Sequence, residues 1–189
     1  NKQKRTFEAL TDLIQETSEN IRYLESISNA LDIAMSEADL AQIKEELMQS
    51  GYVRRKSTRK KVKLNSKPMH YISGDGYHIY VGKNNLQNDE LTFSFAAGND
   101  WWFHAKGAPG SHVIVKTNGD ELPDRTFEEA GRLAAYYSKN RGNDKVEIDY
   151  VEKKHVKKPN GSNPGFVVYY TNYSLVIDSD ISEIKSVQD

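Results

Sequence analysis

Apolar residues recur at alternating spacings of three and four over residues 6–35, and this periodicity predicts one long helix. A narrow apolar stripe along such a helix needs a partner, so we predict one half of an antiparallel coiled coil. At about 1.5 Å per residue, the helix would be roughly 45 Å long. The apolar positions are Phe7, Leu10, Ile14, Ile21, Leu24, Leu31 and Met35, with polar Thr17 and Ser28 at the remaining steps.

A second, shorter helix is predicted to follow the first. The segment SEAD at 36–39 resembles a capping box, and Gly51 is a suitable stop after about Gln49. This helix can cover only part of the stripe, so two partners remain open: a helix upstream of residue 1, or a second copy in a dimer. The chain starts with Asn rather than Met, so we expect a fragment and favour the upstream helix. Residues 1–51 are therefore assigned to a helical coiled-coil arm.

From residue 68 the pattern changes to short alternating segments separated by turns. These segments predict an α+β domain over residues 68–189, with a mostly antiparallel sheet and two helices. A Gly-Asp-Gly turn indicates a first hairpin, and a second hairpin is expected at the end of the chain. The predicted strands are 70–72, 77–81, 101–105, 112–116, 145–151, 166–170 and 174–177, and the predicted helices are 86–96 and 124–140.

Charge divides the chain unevenly, although its net value is only −1. Residues 1–50 hold 5 basic and 10 acidic side chains, whereas residues 51–189 hold 21 basic and 17 acidic ones. Residues 52–67 are strongly basic and form either a linker or, given the alternation near Leu64, a first strand. This asymmetry favours a polyanionic partner. Non-specific phosphate contacts are expected from Arg54, Arg55, Lys60 and Lys61.

Several kinds of chemistry are disfavoured by what the sequence lacks. It has no cysteine, no apolar run of about 18 residues and no glycine-rich phosphate loop. Ser111 and His112 are adjacent, and adjacent residues in a strand point to opposite faces, so they do not form a nucleophile–base pair. His104 and His112 flank one loop, but no third ligand stands at a recognised metal-binding spacing. We therefore predict a non-enzymatic domain without metal or cofactor.

The segment NDWWFHAKGAPGSHVIVK, residues 99–116, holds both tryptophans. In a strand, Trp101 and Phe103 face one side and Trp102 faces the other. If the sheet is open on one side, at least one large aromatic ring is exposed and could stack on an unpaired base. The alternative is that both tryptophans belong to the core.

Four blocks of sequence resemble the NFACT-R domain, found at the C-terminus of NFACT proteins. This family is also called the RqcH/NEMF family, and older bacterial names include "fibronectin-binding protein A-like". Its middle region is a long antiparallel coiled coil, which agrees with the predicted arm. The blocks are YHIYVGKNNLQND (77–89), DWWFHAKGAPGSHVIVK (100–116), EAGRLAAYYSKNRG (129–142) and VEIDYVEKKHVKKPNGSNPGFVVYY (146–170).

The resemblance implies an RNA-binding module in ribosome quality control. NFACT proteins bind the large ribosomal subunit that carries a stalled chain, recruit tRNA and promote addition of a C-terminal alanine-rich tail. The implied partners are large-subunit RNA and tRNA, without a membrane, and the implied location is cytoplasmic and ribosome-associated. Some streptococcal and staphylococcal members have been described as surface proteins that bind fibronectin or fibrinogen. A cell-surface adhesin is therefore the alternative.

Sixteen residues are candidates for RNA contact within this interpretation. Polar side chains at the start of a helix could contact RNA or only cap the helix, and the Pro-Gly-Ser loop could offer N–H groups to a phosphate or only join two strands. The candidates are Lys83, Asn84, Asn85, Gln87 and Asn88; Trp102, His104, Lys106, Pro109, Gly110, Ser111 and His112; and Lys157, Lys158, Asn160 and Gly161.

Overall fold

A seven-stranded antiparallel sheet forms the centre of the body in the computed structural model, which describes residues 1–55 and 65–188. The strand order is β8-β5-β3-β4-β2-β1-β9, and β6 and β7 form a separate two-stranded ribbon. The strands are β1 (Met69–Ile72), β2 (His78–Val81), β3 (Trp101–Ala105), β4 (Val113–Val115), β5 (Val146–Glu152), β6 (Val156–Lys157), β7 (Val168–Tyr169), β8 (Tyr173–Ile177) and β9 (Lys185–Val187).

Four α-helices accompany these strands in the described ranges. The arm contains α1 (Lys2–Ile33) and α2 (Glu37–Gln49), and the body contains α3 (Asn85–Glu90) and α4 (Asp124–Tyr136). A π-helical turn at Leu91–Phe95 continues α3. A 3₁₀ turn at Lys153–His155 links β5 to β6. The predicted α+β class with a mostly antiparallel sheet is confirmed.

Two predicted elements differ from the structure. The helix expected at 86–96 is a short α-helix followed by a π-helical turn. The hairpin expected between 166–170 and 174–177 is wrong, because β7 pairs with β6 and β8 pairs with β5. Leu175 and Ile177 of β8 pack against the core beneath α4, whereas Tyr169 of β7 packs on the opposite side of the sheet. The two segments therefore belong to different layers.

Both faces of the sheet are covered by other elements. On one face, α4 packs Leu133 against Phe103 and Val113 in the larger core. On the other face, the π-helical turn and the β6–β7 ribbon cover Trp102 and Ile114. The condition for an exposed tryptophan, a sheet open on one side, is therefore not met at the centre of the sheet, where Trp102 and Phe103 are both buried.

The arm packs through a different stripe of α1 from the one predicted. The buried cluster consists of Tyr23, Ile27 and Ala30 of α1 together with Ile43 of α2. This stripe is displaced by one residue from the predicted positions 24, 28 and 31, a rotation of about 100° around the helix. The seven predicted apolar residues are all exposed, for example Ile14 at 66%. Packing against α2 and the body, and not the heptad pattern, determines which side of α1 faces inward.

No helix in the described ranges is long and apolar enough to cross a membrane. The prediction for residues 52–67 falls largely outside the description, since residues 56–64 are not covered. Lys60 and Lys61 lie in that range.

Candidate nucleic-acid interface

The polar residues predicted at the start of a helix join the arm to the body. Asn84 caps α3 by accepting a hydrogen bond from the backbone N–H of Gln87, at 2.9 Å. The side-chain amides of Asn84 and Gln87 both donate to Gln42 Oε1 of α2, at 2.6 and 2.7 Å. Asn88 accepts the backbone N–H of His112 at 3.1 Å. The four amide side chains of α3 and its cap are buried, so they are not available to RNA as predicted.

Asn85 is the centre of this joint. Its amide donates to Glu46 Oε2 of α2 at 3.1 Å and to Ser26 Oγ of α1 at 2.8 Å. The hydroxyl of Tyr23 donates to the same Glu46 oxygen at 2.6 Å. Burial raises the pKa of Glu46, and these hydrogen bonds oppose that rise only in part. At Gly165, which has φ +81°, a Cβ would collide with the Asn85 amide.

Lys83 belongs to the same joint, because it forms an ion pair with Asp39 of α2. The distance from Lys83 Nζ to Asp39 Oδ1 is 3.2 Å, and the Ser66 hydroxyl donates to the same oxygen at 2.7 Å. Burial would raise the pKa of Asp39, but hydrogen bonds from Ser66, the Met35 N–H and Lys83 lower it overall. The charge of Lys83 is thus neutralised by the arm, and the predicted phosphate contact is not available.

Trp102 is part of the core, with 1% of its surface exposed. Its ring stacks on His104 at a centroid distance of 5.6 Å and contacts Tyr169 of the ribbon at 4.9 Å. The prediction that Trp102 stacks on a base is therefore wrong, because the β6–β7 ribbon covers its face of the sheet. Trp101, on the other face, is partly buried and packs edge-on against Phe127 of α4.

His104 and His112 are structural residues and neutral. His112 is buried, and its Nδ1 and Nε2 lie 2.8 Å from Thr92 Oγ1 and 3.1 Å from the Gly165 carbonyl. Burial lowers the pKa of His104 and holds that of His112 well below its usual value. Within the described residues, no group of three or more His, Cys, Asp or Glu side chains is placed to hold a metal.

The Pro109–Ser111 loop is a tight connection anchored to the end of α4. The backbone N–H of Ser111 donates to the Tyr137 carbonyl at 3.1 Å, and the Pro109 carbonyl accepts from the Lys139 N–H at 2.9 Å. Gly110 forms an isolated β-bridge with Ser138. The predicted phosphate contact from Ser111 is therefore wrong, since its N–H already has a partner inside the protein.

The remaining candidates divide between structural and exposed positions. Lys158 is structural, since its Nζ contacts Asp89 at 3.1 Å and the Asn163 carbonyl at 2.6 Å. Lys106 is exposed but forms an ion pair with Glu147 at 2.8 Å. Arg55 likewise pairs with Glu45 at 2.7 Å. Arg54, Lys157, Asn160 and Gly161 are exposed to solvent as expected, and their contact with RNA stays a prediction.

Lys157, one of the predicted contacts, belongs to a basic surface that follows β5. We call Lys153–Lys157 the basic turn, since it contains three lysines and His155 in five residues. The N–H groups of Lys153 and Lys154 donate to the carbonyls of Asp100 and Gly98, at 2.8 and 3.0 Å. These bonds fix the turn against the loop before β3. Lys154 pairs with Glu152 at 3.0 Å, whereas no described acidic group lies within 4.0 Å of Lys153 or Lys157.

Two phenylalanines of the π-helical turn adjoin this surface. Lys153 Nζ lies 6.0 Å from the centroid of the Phe93 ring, and Lys116 Nζ lies 4.7 Å from that of Phe95. Phe93 is partly buried, and Phe95 is 43% exposed. Sequence reasoning missed both because it placed them in a regular helix. The alternation Thr-Phe-Ser-Phe at 92–95 departs from the period of an amphipathic helix, and this is the signal that could have indicated an irregular turn there.

Comparison with protein-family models gives two matches that together cover most of the chain. Residues 67–170 match the NFACT protein RNA binding domain, and residues 1–66 match the NFACT N-terminal and middle domains. The first match covers β1 to β7, α3, the π-helical turn, α4 and the basic turn, and it ends before β8 and β9.

Two curated relatives extend over nearly the whole chain. Rqc2 homolog RqcH of Streptococcus pneumoniae (strain ATCC BAA-255 / R6) is 44% identical over 188 residues, which are 99% of this chain and 34% of the relative. Rqc2 homolog RqcH of Bacillus subtilis (strain 168) is 37% identical over 186 residues, which are 97% of this chain and 32% of that relative. The chain thus spans about a third of the length of these relatives.

A solved structure shares the fold at similar identity. It is the C-terminal part of the fibronectin/fibrinogen-binding protein from Streptococcus suis, with a TM-score of 0.88 and 42% sequence identity. The match covers 96% of this chain and 74% of that one.

Proposed function

Because this chain belongs to the NFACT family, we propose that it is the RNA-binding part of a ribosome-associated quality-control factor. It acts without catalysis of its own, in the cytoplasm, by contacting large-subunit RNA and tRNA. In the full-length protein this contact would support alanine tailing of a stalled chain. The curated relatives named as Rqc2 homologs and the family description support this proposal.

The basic turn is the single feature that supports RNA binding most directly. Lys153 and Lys157 have no acidic partner within 4.0 Å among the described residues, so their charge is not neutralised inside the protein. Most other lysines of the body are paired, including Lys83, Lys116 and Lys158. Lys157 is exposed and Lys153 is partly exposed. Unpaired ammonium groups at the surface of a fixed turn attract phosphates, which release counterions on binding.

The basic turn also lies in a favourable place in the fold. The acidic residues of the arm that pair with lysines of the body do so elsewhere: Asp39 pairs with Lys83 at the α3 joint, and Asp32 pairs with Lys139 after α4. The basic turn instead joins β5 to the ribbon that covers the Trp102 face of the sheet. A polyanion can therefore bind the turn without displacing those ion pairs.

Removing two charges from the basic turn tests the proposal. Lys153→Gln with Lys157→Gln should weaken binding to tRNA and to 23S rRNA fragments. It should also reduce the magnitude of the log–log salt slope by about two, since each lost phosphate contact removes about one unit. Binding is measured by fluorescence anisotropy from low to moderate salt.

Lys145→Gln with Lys185→Gln is the matched control, because both lysines are exposed and have no ion-pair partner among the described residues. Lys145 directly precedes β5 and Lys185 begins β9, so neither belongs to the basic turn. This control should leave the affinity nearly unchanged. Equal weakening by the two double variants would contradict the basic turn as the contact surface. Saturable, salt-independent binding to immobilised fibronectin, without RNA binding, would overturn the proposal in favour of the adhesin alternative.

A further inference from the structure

We propose that the surface next to the basic turn binds an unpaired nucleotide, whose base stacks on Phe95 while a neighbouring phosphate contacts Lys153. This inference rests on the proposed RNA binding and specifies the class of RNA. It transfers the stacking role from the buried Trp102 to a ring that the tertiary structure exposes.

The π-helical turn presents Phe95 at the surface. The Ala96 N–H donates to the Leu91 carbonyl at 2.9 Å, which closes the wide i to i+5 turn. π-Helical turns are rare and occur frequently at functional sites. Within the turn, Leu91 and Thr92 are buried, and Phe95 is 43% exposed. A large aromatic ring is thus held in solvent by an unusual backbone conformation.

The ring of Phe95 is supported from behind. Tyr80 of β2 contacts it edge-on at a centroid distance of 4.8 Å. Because Tyr80 itself packs against the cluster around Trp102, the position of Phe95 is tied to the rigid sheet. A supported ring loses little conformational freedom when a base stacks on it, which favours binding.

Cationic groups stand beside both phenylalanine rings. Lys116 is held in place, since its Nζ contacts Asp100 Oδ2 at 2.5 Å and the Phe95 carbonyl at 3.3 Å. Lys153 adds an unpaired ammonium near Phe93. Aromatic rings combined with a positively charged track for the backbone are the general means of binding single-stranded nucleic acid.

A single strand is favoured over a duplex as the ligand, because only a single strand leaves base faces free to stack on a protein ring. In a duplex each base face is already stacked on its neighbours, so a protein ring cannot reach it. Recognition of double-stranded RNA instead uses phosphates and 2′-hydroxyl groups, which need no exposed aromatic ring. An exposed phenylalanine beside lysines therefore fits a single strand.

Substitution of Phe95 separates stacking from charge. Phe95→Leu keeps an apolar side chain but removes the aromatic face, and it should weaken binding to a 10-nucleotide oligouridylate by about 5-fold to 100-fold. Binding to an RNA duplex with the same number of phosphates should change less than 2-fold. Phe95→Trp, which retains a stacking face, should bind the oligouridylate at least as tightly as the parent chain.

Phe166→Leu is the matched control, because Phe166 is exposed to a similar extent, at 47%. It should leave binding to both RNAs unchanged, and thermal melting should show that all three variants fold. Equal losses for the single strand and the duplex, no loss in Phe95→Leu, or an equal loss in Phe166→Leu would overturn the stacking proposal. If the Lys153/Lys157 double variant still weakens RNA binding in that case, only the stacking inference fails. Absence of RNA binding by the parent chain would overturn both proposals.

Discussion

His112 is held in one protonation state by its surroundings. A carbonyl can only accept, so Nε2–H donates to the Gly165 carbonyl and Nδ1 accepts from the Thr92 hydroxyl. Burial is the largest cause of its lowered pKa, and the neighbouring His104 lowers it further. In its neutral form the ring contacts β3, the π-helical turn and the loop that contains Gly165, and protonation would disturb all three contacts.

Stability should depend on pH through this histidine. Because its folded pKa lies well below 6.5, the unfolded chain takes up the proton first as the pH falls. The free energy of unfolding should therefore fall below about pH 6.5, by roughly 2 kcal/mol between pH 7 and pH 5 for one such histidine. Urea denaturation across this range measures the change.

His112→Gln isolates the contribution of this residue, since a glutamine amide can still donate to the Gly165 carbonyl and accept from Thr92. The carboxyl groups are the same in both chains, so the difference between the two pH profiles belongs to His112. The variant should lose less stability between pH 7 and pH 5. Parallel profiles would show that His112 does not carry the pH dependence.

At the scale of the element, α1 has two apolar sides with different roles. One side packs Tyr23, Ile27 and Ala30 against Ile43 of α2. The other side is the predicted stripe, which is exposed along the described arm. Sequence analysis left two possible partners for that stripe, an upstream helix or a second copy of the chain, and both remain predictions.

Truncation of one residue on each side distinguishes their roles. Ile27 is 4% exposed, so Ile27→Ala should lower the free energy of unfolding by about 2–5 kcal/mol. Ile14→Ala, on the exposed stripe, should change stability by less than about 0.5 kcal/mol. Denaturation followed by circular dichroism measures both. A large, concentration-dependent loss in Ile14→Ala would instead show that a second copy covers the stripe.

For the whole molecule, the joint at α3 determines how the arm is attached to the sheet. The segment KNNLQND at 83–89 contacts α1 and α2 through buried amides, so it connects the helical arm to the body that carries the candidate RNA surface. Buried polar groups lose free energy when a partner is removed, and this makes the joint sensitive to a single change. We expect Glu46, whose pKa is raised by burial, to be the residue of this joint that is most sensitive to the loss of a hydrogen-bond partner.

Asn85→Asp should disrupt the joint, because it replaces an amide donor with a second carboxyl group beside Glu46. We expect a loss of about 2–4 kcal/mol in unfolding free energy at neutral pH. Adding Glu46→Gln should restore part of it, since the new carboxylate then faces an amide. Asn160→Asp, in an exposed loop, is the control and should be nearly neutral. No restoration in the double variant would contradict the direct Asn85–Glu46 interaction.

Local patterns were sufficient to predict most elements and few of the site residues. Some patterns depend only on residues close together in the chain, and the elements they predict are present. These are the alternation at 101–105 and 145–151 and the amphipathic pattern of α4. The exposure of Trp102 and of the amides of α3 depends on which distant segment covers them. That information is absent from any local window, so these residues were assigned to the surface while the structure buries them.

The sequence by itself determined the α+β class, the long first helix and the position of the basic segment that contains Lys157, because periodicity and charge are properties of the chain. Tertiary structure alone decided that β8 leaves β7 and pairs with β5, and that α1 packs through Ile27. It also decided that Phe95 is exposed and Trp102 is buried. In each case burial is set by contacts between segments far apart in the chain, and such contacts exist only in the folded molecule.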